Sequence, residues 1–591
     1  MATRFIAIVG ANLQLASDIS SQITSMTGLS ELYAGPNLTL LVNPGAEVVA
    51  AASNAVYVVG HLFSRSENAE RILRFKDATA IAIKNSSGDT LTQNYWGGYC
   101  AFIDDEEQNR VVIQRDPSGM MPCFYLTLPG VTFLTSDIET LWEADLLPVE
   151  IDWPGLAAWL DAIDFPYSRT ALAGVFELLA GHRLTVTDGV EVQPCWSPWD
   201  HVRPISRTAE LPERLYQTVH STVRGWGRSF DKVIMGVSGG LDSSIVVEGL
   251  ADSTCGMTAY TMATQEAGGD ERHYARMVAS AFALPLRELL HKSSPIDFSV
   301  STAADLPRPG GGAFSQSHTL DQLALGTEMN VGAYFTGIGG DNVFCFMQSA
   351  TPFLDRLMKQ GPMPGTAGTL LDICKLTDCS VWDVIAMAYR KWRRGNTYQW
   401  PAGKRKFLSP EQITPALHKT HPWLNAPRDA LPGKAVHIAM LARVQATLDT
   451  FPRKTCAPQI HPLLSQPIVE LCLQVPTWEW CAGGQNRSVA RRAFAGKLPG
   501  EILSRRSKGS PDAFAFDVLQ ANRSQIRDLL VGGQLDQNGL IHRDALTAAL
   551  KPGAPIVAPD HVYLYAIAEA EAWVRTWQNK ARKRSTMRRL A

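Results

Sequence analysis

One stretch constrains the fold of this chain more than any other. It is an apolar run at residues 233–237 that breaks into a turn of small residues and restarts as a second apolar run at 245–247. The pattern predicts a strand, a glycine-rich loop and a helix. Gly239 and Gly240 leave no Cβ in the way, so successive backbone N–H groups can point at a phosphate. Ser243 and Ser244 then fall on the first helical turn, where free N–H groups and the helix dipole favour an anion. The block therefore predicts a nucleotide-binding site.

Asp242 is the unusual member of this loop. A carboxylate beside phosphates repels them unless a divalent cation lies between the two, so its presence points to magnesium and to pyrophosphate as the leaving group. The Walker pattern requires a Lys before its Ser or Thr, and none is present here, which excludes the usual kinase or GTPase interpretation. The alternative is a Gly-Gly turn that merely opens an ordinary helix.

The sequence Ser-Gly-Gly-Leu-Asp-Ser-Ser at 238–244 resembles the pyrophosphate loop of the asparagine-synthetase-like ATP pyrophosphatases, which adenylate a carboxylate and hand it to an amine. A second block, 337–344, follows an apolar run and resembles the second glycine-rich turn of that family. The resemblance implies that Asp242 and Asp341 share a magnesium ion. It places the adenine nearest Val237, Met262 and Gly337. The residues that it assigns to ATP and pyrophosphate are Val237, Ser238, Gly239, Gly240, Asp242, Ser243, Ser244, Met262 and Gly337.

A third block, the basic segment 505–510, resembles the late loop in which a Lys faces the acyl-adenylate. The resemblance makes Lys508 the catalytic candidate, stabilising charge as the tetrahedral intermediate forms. Its alternative is an ordinary surface lysine.

Composition agrees with a large enzyme. The 591 residues are enough for two or three domains, and 45% of them are apolar. A formal net charge of −2 gives no general case for binding nucleic acid or an anionic membrane. The ten cysteines form no CxxC pair, and no run is long and apolar enough to span a bilayer. The sequence therefore predicts a cytoplasmic protein with reduced thiols.

The first half, predicted as residues 1–205, consists of short alternating strands separated by turns. Its segments 97–102, 115–119 and 133–137 resemble the glutaminase-like half of asparagine synthetases, an αββα sandwich. A working glutaminase of that family uses a Cys exposed as the mature N-terminal residue, whereas removal of Met1 here exposes Ala2. An Ala methyl cannot attack an amide, so the sequence predicts a degenerate domain without glutamine hydrolysis.

The second half, predicted as residues 206–591, alternates strands and helices, which indicates an α/β fold with a parallel sheet. Further strands are expected at 257–262 and 286–291. Asp270 and Glu271 lie at a predicted helix start and are expected to be caps rather than ligands.

Without a glutaminase Cys, the question is which amine attacks. Cys-free members of the family include β-lactam synthetases, which carry a Tyr where Ile338 stands, and lasso-peptide macrolactam cyclases. Asparagine synthetases usually show an Asp at the position of Ser465. The residues at 338 and 465 therefore favour the lasso cyclases over the other two classes. The resemblance to lasso cyclases is carried further by the segments 339–345, 461–467 and 478–484, and an insertion around 351–395 suits a larger substrate.

By that resemblance, the chain adenylates an Asp or Glu side chain of a precursor peptide, and the freed N-terminal amine of the peptide closes the ring. ATP and Mg²⁺ are implied, as are a leader-recognition protein and a leader peptidase as partners. Candidate cavity walls are aromatic residues that are otherwise core, namely Phe314, Phe346 and Trp480. No base is identifiable, although three carboxylates follow the second block, Asp372, Asp378 and Asp383.

Several alternatives remain. A glutamine-independent asparagine or β-lactam synthetase would act on a small amino-acid substrate. A catalytically silent scaffold would not bind ATP. A tRNA-modifying pyrophosphatase would use a similar loop, but the balanced charge and the missing Cys pair count against it.

Overall fold

The fold is taken from a computed structural model. The structure describes residues 1–51, 55–204, 208–263, 270–290, 296–310, 316–400, 405–409, 411, 421–448, 452–506, 512–555 and 560–590.

The N-terminal half contains two six-stranded antiparallel sheets. The strands of this half are β1 Phe5–Val9, β2 Ser30–Ala34, β3 Leu38–Val42, β4 Val48–Ala50, β5 Val56–Ser64, β6 Tyr95–Asp105, β7 Arg110–Arg115, β8 Phe124–Leu128, β9 Val131–Thr135, β10 Val175–Glu177, β11 His182–Val186 and β12 Val190–Pro194. Its helices are α1 Leu13–Thr27, α2 Asp77–Asn85, α3 Asp89–Asn94, α4 Ile138–Glu143 and α5 Trp153–Asp161. The strand orders are β10-β8-β9-β1-β3-β2 and β12-β11-β7-β6-β5-β4.

The two sheets face each other across an apolar layer. Phe5 of β1 and Phe102 of β6 meet edge to face, with ring centroids 5.0 Å apart. On the outer side of the first sheet, Ile6 packs with Ile19 and Ile23 of α1. Because side chains alternate along a strand, each sheet presents one face to its partner sheet and one to helices. The predicted αββα sandwich is confirmed.

The C-terminal half follows a different pattern, with a strand and a helix in alternation. Its strands are β13 Lys232–Gly236, β14 Gly256–Ala263, β15 Leu286–Leu290, β16 Ala333–Phe335 and β17 Gln459–Ile460. Its helices are α6 Leu211–Gly227, α7 Leu241–Ala251, α8 Arg272–Ala281, α9 Gln316–Met329, α10 Gly340–Val343, α11 Thr351–Gln360, α12 Pro364–Thr377, α13 Val381–Arg394, α14 Pro432–Gln445, α15 Gln466–Gln474, α16 Ser488–Ala493, α17 Gly500–Ser504, α18 Asp512–Ala521, α19 Arg523–Leu530, α20 Gln534–Gln537, α21 Arg543–Ala549 and α22 Asp560–Leu590.

The sheet of this half is parallel throughout, with the order β15-β14-β13-β16-β17. The chain moves outward in one direction from β13 to β15 and then returns to the opposite side of β13 as β16. In open parallel sheets, ligands bind at the carboxyl ends of the strands where the order reverses. The loop after β13 lies at that point. The predicted parallel α/β domain is confirmed.

The insertion suggested by the sequence forms helices α11 to α13. These helices share a small apolar core of their own, which includes Phe353, Ile373 and Val384. Ser380 begins α13 with a capping box, in which its hydroxyl and the side chain of Asp383 exchange hydrogen bonds with backbone N–H groups. The insertion therefore folds as a compact unit beside the sheet domain.

The two halves are joined by extensive contacts. The Nη1 and Nη2 atoms of Arg65 donate to the Glu470 carboxylate at 2.7 and 3.1 Å, and the Trp196 indole N–H donates to the same group at 3.0 Å. The last helix, α22, packs Trp573 and Trp577 into the core that also holds Ile6. The proposed boundary at 205/206 lies outside the described residues. Within the described ranges, no helix combines the length and the apolar character needed to cross a membrane.

Candidate active site

The glycine-rich loop connects β13 to α7. Gly239 has a φ of 64°, a left-handed conformation that other residues rarely adopt, and this allows the chain to turn sharply after Val237. The hydroxyl of Ser238 accepts a hydrogen bond from the Gly240 N–H at 3.2 Å. This hydrogen bond within the loop stabilises its conformation, and the loop backbone lies at the carboxyl edge of the sheet.

The two serines that follow have different environments. Ser243 faces a cavity at the mouth of the loop and lies 3.4 Å from the hydroxyl of Ser238. Ser244 is fully buried, and its hydroxyl donates to the Gly240 carbonyl at 2.8 Å. Neither Ser244 nor Gly239 is part of the cavity lining. Their assignment to ATP stays a prediction.

The second glycine-rich turn lies directly against the first. A Cβ added at Gly337 would come within 2.7 Å of the Ser243 backbone nitrogen, so only glycine permits this approach. The close packing places Asp341, in the first turn of α10, opposite Asp242, in the first turn of α7. The structure therefore brings together the two carboxylates that the family resemblance assigns to one metal ion.

An arginine lies between these carboxylates. The Arg487 Nη1 atom is 2.9 and 2.8 Å from the two oxygens of Asp242 and 2.7 Å from Asp341 Oδ1. Sequence reasoning missed Arg487, because it follows Asp242 by 245 residues and Asp341 by 146. The only local signal was a basic residue shortly after the Gly483-Gly484 pair.

Three further arginines line the cavity near the loop: Arg491, Arg505 and Arg506. Arg491 donates to the Asn486 carbonyl at 2.8 Å and to the Arg505 carbonyl at 3.0 Å, which fixes the two segments relative to each other. Burial, together with the adjacent charge of Arg487, lowers the pKa of Arg491 to about 10. Arg491 remains a cation at neutral pH, so this wall of the cavity is positive.

Arg505 joins the late basic segment to the first loop. It donates to the Gly239 carbonyl at 3.1 Å, pairs with Glu271 at 2.5 Å and lies over the Tyr274 ring. Glu271 occupies the N-cap position of α8, as predicted, but its side chain makes no capping hydrogen bond and pairs with Arg505 instead. Asp270 is the residue that accepts from the first helical N–H, that of Arg272, and hydrogen bonds from the Arg272 side chain lower the pKa of Asp270 to about 2.

The cavity has a volume of about 650 Å³. The lining residues that the sequence predicted for ATP, adenine or metal are Val237, Ser238, Gly240, Asp242, Ser243, Met262, Gly337 and Asp341. Residues that sequence analysis did not select also line it, among them Tyr260, Thr261, His318, Arg443 and Asn486. Most of the predicted nucleotide residues therefore share one cavity.

Other sequence candidates lie elsewhere. Phe346 lines the cavity, whereas Trp480 is buried in the apolar core. The carboxylates Asp372, Asp378 and Asp383 are absent from the lining, and Asp383 serves the capping box of α13. Lys508 and Phe314 lie outside the described residues.

The two residues that distinguish the substrate classes, Ile338 and Ser465, differ in whether they face the cavity. Ile338 lines the cavity and is 40% exposed, so its side chain meets any bound molecule as an apolar group. Ser465 is fully buried, and its hydroxyl accepts from the Trp226 indole N–H at 2.9 Å. Ser465 thus has a structural partner and does not face the cavity.

Ala2, at the position where the resemblance expects a nucleophile, is buried. Its backbone N–H donates to the Cys456 carbonyl at 2.8 Å, across the contact between the two halves. In the conformation described, this backbone group is occupied by a structural hydrogen bond.

The carboxylates fit a divalent cation in part. Among the described residues, no group of three or more His, Cys, Asp or Glu side chains could hold a metal ion by itself. Asp242 and Asp341 supply two hard oxygen donors, and the Arg487 guanidinium already lies between them as a cation. Mg²⁺ commonly takes one or two carboxylates and completes its shell with phosphate oxygens and water. The donor set therefore fits Mg²⁺ bound together with a phosphorylated ligand.

These features define a class of protein. The parallel sheet carries a glycine-rich loop at its switch point, a second turn with a facing carboxylate, and a cavity lined by arginines. This combination defines an anion-binding α/β domain of the nucleotide-binding type. It is joined here to an αββα sandwich.

The family follows from comparison with known proteins. The profile of the asparagine synthase family matches residues 213–575, and that of the glutamine amidotransferase domain matches residues 59–196. The chain belongs to the asparagine synthase family. It is also similar to asparagine synthetase [glutamine-hydrolyzing] 2 of Bacillus subtilis (strain 168), with 22% identity over 249 residues. This alignment spans 39% of the chain and only 32% of the relative.

Two solved structures show distant similarity. One is the allosteric regulatory enzyme of purine biosynthesis, at 11% identity, a TM-score of 0.22, and coverage of 49% of this chain and 80% of that one. The other is glutamine phosphoribosylpyrophosphate amidotransferase from B. subtilis complexed with ADP and GMP, at 9% identity, a TM-score of 0.21, and coverage of 48% and 65%. With scores this low, the fold assignment rests on strand order and family membership.

Proposed function

We propose that this chain is an ATP-dependent ligase that forms an amide by way of an acyl-adenylate. The observation that carries the proposal is the pairing of Asp242 and Asp341 at the mouth of the glycine-rich loop. Two carboxylates this close to an anion-binding loop are useful only if a cation separates them from the phosphates. Mg²⁺ bound there would neutralise charge on the pyrophosphate as it leaves.

The chain's own residues account for the rest of the proposed site. The backbone of the loop at 238–240 and the N-terminal turn of α7 offer N–H groups to phosphate oxygens. Arg491 and Arg505 provide a positive wall of the cavity, and Arg505 donates to the Gly239 carbonyl of the loop. Val237 and Met262 give an apolar surface against which an adenine ring can lie. We assign Lys508 to stabilisation of the tetrahedral intermediate on the basis of family resemblance.

We further propose that the product is a macrolactam and that the substrate is a lasso-peptide precursor. Three observations support this. The resemblance places Ala2 at the position of the nucleophilic Cys, and an Ala methyl cannot attack an amide. Ile338 cannot act as the base that β-lactam synthetases place there. Helix α12 of the three-helix insertion contacts the turn at 482–484, which shortly precedes Arg487 of the cavity lining.

In this proposal, the activated group is an Asp or Glu side chain of the peptide, and the attacking group is the N-terminal amine of the same peptide. Attack releases AMP and forms an isopeptide bond. Ring closure demands that the two ends be held together, which is a task of shape and positioning rather than of strong acid–base catalysis. A leader peptidase and a leader-recognition protein would supply the free amine, and we place the reaction in the cytoplasm.

The test uses the purified full chain with ATP, Mg²⁺, the precursor peptide encoded beside its gene and the matching peptidase. Mass spectrometry should find a core peptide lighter by one water, with one AMP formed per ring. Asp242→Ala should reduce product formation by about a hundredfold or more, because it removes a ligand of the Mg²⁺ that would neutralise the leaving pyrophosphate.

Two results would contradict the proposal at different levels. AMP formation with aspartate and ammonia, or with a free amino-acid derivative, would instead indicate a glutamine-independent asparagine or β-lactam synthetase. Failure to bind ATP under any condition would indicate a scaffold without catalysis. Ser380→Ala, which alters a helix cap in the insertion and is absent from the cavity lining, is the control that should retain product formation.

A further inference from the structure

The position of Arg487 between Asp242 and Asp341 has a specific geometry. A single nitrogen, Nη1, lies within 2.7 to 2.9 Å of three carboxylate oxygens that belong to two residues. The side chains of Arg487 and Asp242 are only 10% and 12% exposed. A partly buried cation that binds two carboxylates at once occupies the place expected of a shared metal ion.

The arginine is held in this place from several sides. The Arg487 Nε atom donates to Asn486 Oδ1 at 3.1 Å, and the guanidinium lies 5.2 Å from the centroid of the Phe346 ring. Its backbone has a φ of 53°, the left-handed region, directly before helix α16. Residues other than glycine adopt this conformation infrequently, and it is often found at functional sites.

Electrostatics decides what this contact does. Without a cation, the two facing carboxylates would repel each other in a partly buried site. The guanidinium removes that repulsion in the free protein. A divalent ion that arrives alone must displace a bound cation, and the arginine then loses both carboxylate partners. A ligand rich in negative charge changes this balance, because it offers the displaced guanidinium a new anionic partner.

We propose that Arg487 is a built-in counter-cation that keeps divalent metal out of the empty site, so that metal enters only together with a polyphosphate ligand. The nucleotide part of this inference rests on the proposed function. The arginine turns away from Asp242 and Asp341 when the metal and the ligand bind, and it returns when they leave. The order of binding is therefore set by the protein and not only by the affinity of Mg²⁺ for ATP.

The test measures Mn²⁺ binding to the full chain by electron paramagnetic resonance, without nucleotide. The wild-type protein should show no stoichiometric site at Asp242 and Asp341. Arg487→Gln removes the charge but retains a long polar side chain, and it should bind one Mn²⁺ at least about tenfold more tightly, or about 1.4 kcal/mol. Adding Asp341→Asn to Arg487→Gln should abolish the new site.

Arg443→Gln is the matched control. Arg443 lines the same cavity and carries the same charge, but its carboxylate partner is Asp164, at 2.7 Å. If Arg443→Gln strengthens Mn²⁺ binding as much as Arg487→Gln, the effect is one of total charge and the proposal is wrong. The proposal is equally wrong if the wild-type protein binds one Mn²⁺ without nucleotide and loses it on Asp341→Asn. The comparison of wild type with Asp341→Asn remains a valid test even if the Arg487→Gln variant does not fold.

A separate titration with a fluorescent ATP analogue and Mg²⁺ distinguishes this inference from the proposed function. If the wild-type protein binds the analogue, but the Arg487→Gln variant binds no Mn²⁺ without nucleotide, only the proposed role of Arg487 is overturned. Wild-type protein that binds no analogue would overturn the ATP-dependent function, and with it the polyphosphate step, whatever the Mn²⁺ result.

Discussion

Single residues decide how closely the two turns of the site approach each other. Gly337 lies against the backbone of Ser243, and the side chain of Asp242 occupies the space beside Gly340. These contacts leave no room for a side chain, and they determine how far apart the two carboxylates stand. Because the carboxylates come from separate segments, a shift of either turn would change the geometry offered to a cation.

Gly337→Ala should weaken nucleotide binding without unfolding the protein. The new Cβ would meet the Ser243 nitrogen at 2.7 Å, so one turn must move away from the other. We expect about tenfold weaker binding of an ATP analogue, equivalent to about 1.4 kcal/mol, measured by fluorescence titration. Gly368→Ala is the control, because a Cβ there meets nothing within 4 Å and should leave binding unchanged. Equal affinity in the two variants would contradict the tight contact.

At the scale of elements, helix ends build the site and one long helix supports it. The first turns of α7 and α10 present Asp242 and Asp341, and the residue before α16 presents Arg487. Helix α22 lies away from this region and carries a buried carboxylate, Glu569. The Ser301 hydroxyl donates to Glu569 at 2.7 Å. Burial outweighs this hydrogen bond and raises the pKa of Glu569 to about 7.

This pKa predicts a pH dependence of stability. The folded protein holds a proton on Glu569 more tightly than the unfolded chain does, so the stabilisation is present below the ordinary pKa of Glu and is lost as the pH rises towards 7. The loss is at most about 3 kcal/mol. Glu569→Gln, which stays neutral, should raise the unfolding midpoint at pH 8 relative to wild type and have less effect at pH 5.

The control for this prediction lies two residues further along α22. Glu571 is fully buried and pairs with Arg575 at 2.6 Å, so Glu571→Gln removes a satisfied charge pair and should lower stability at pH 8. Thermal unfolding at the two pH values compares the variants. If Glu569→Gln lowers stability at pH 8 as well, the fold stabilises the ionised carboxylate of Glu569 instead of penalising it, its pKa is not raised, and the prediction is wrong.

On the scale of the whole molecule, the two halves form one unit. Glu470 lies on the synthase side of the contact and accepts from Arg65 and Trp196 of the other half. Burial alone would raise the pKa of Glu470, but the hydrogen bonds and charge of Arg65 outweigh it and hold that pKa below its ordinary value. These contacts tie the αββα half to the sheet domain.

Breaking this pair on one side should cost more than removing both partners. Arg65→Met leaves the Glu470 charge largely buried, and we expect a loss of about 2 kcal/mol in the free energy of unfolding, lessened because Arg65 is partly exposed. The double variant Arg65→Met with Glu470→Gln should recover part of that loss. Denaturation in urea, followed by tryptophan fluorescence, measures both. A double variant less stable than Arg65→Met would contradict the explanation.

The sequence by itself determined what is local. The turn after β13 and Asp242 were predictable from the residues themselves, because glycines and a carboxylate at short spacing fix backbone shape and charge within a few residues. The second turn and Asp341 were recognised through the family resemblance. The alternation of strands and helices likewise predicted the parallel α/β domain, and the family resemblance predicted the αββα sandwich. Tertiary structure alone decided that Arg487 lies between the carboxylates, that Glu271 pairs with Arg505 and that Ser465 is covered by Trp226. These contacts join residues more than a hundred positions apart, and packing of the whole molecule determines which distant side chains meet.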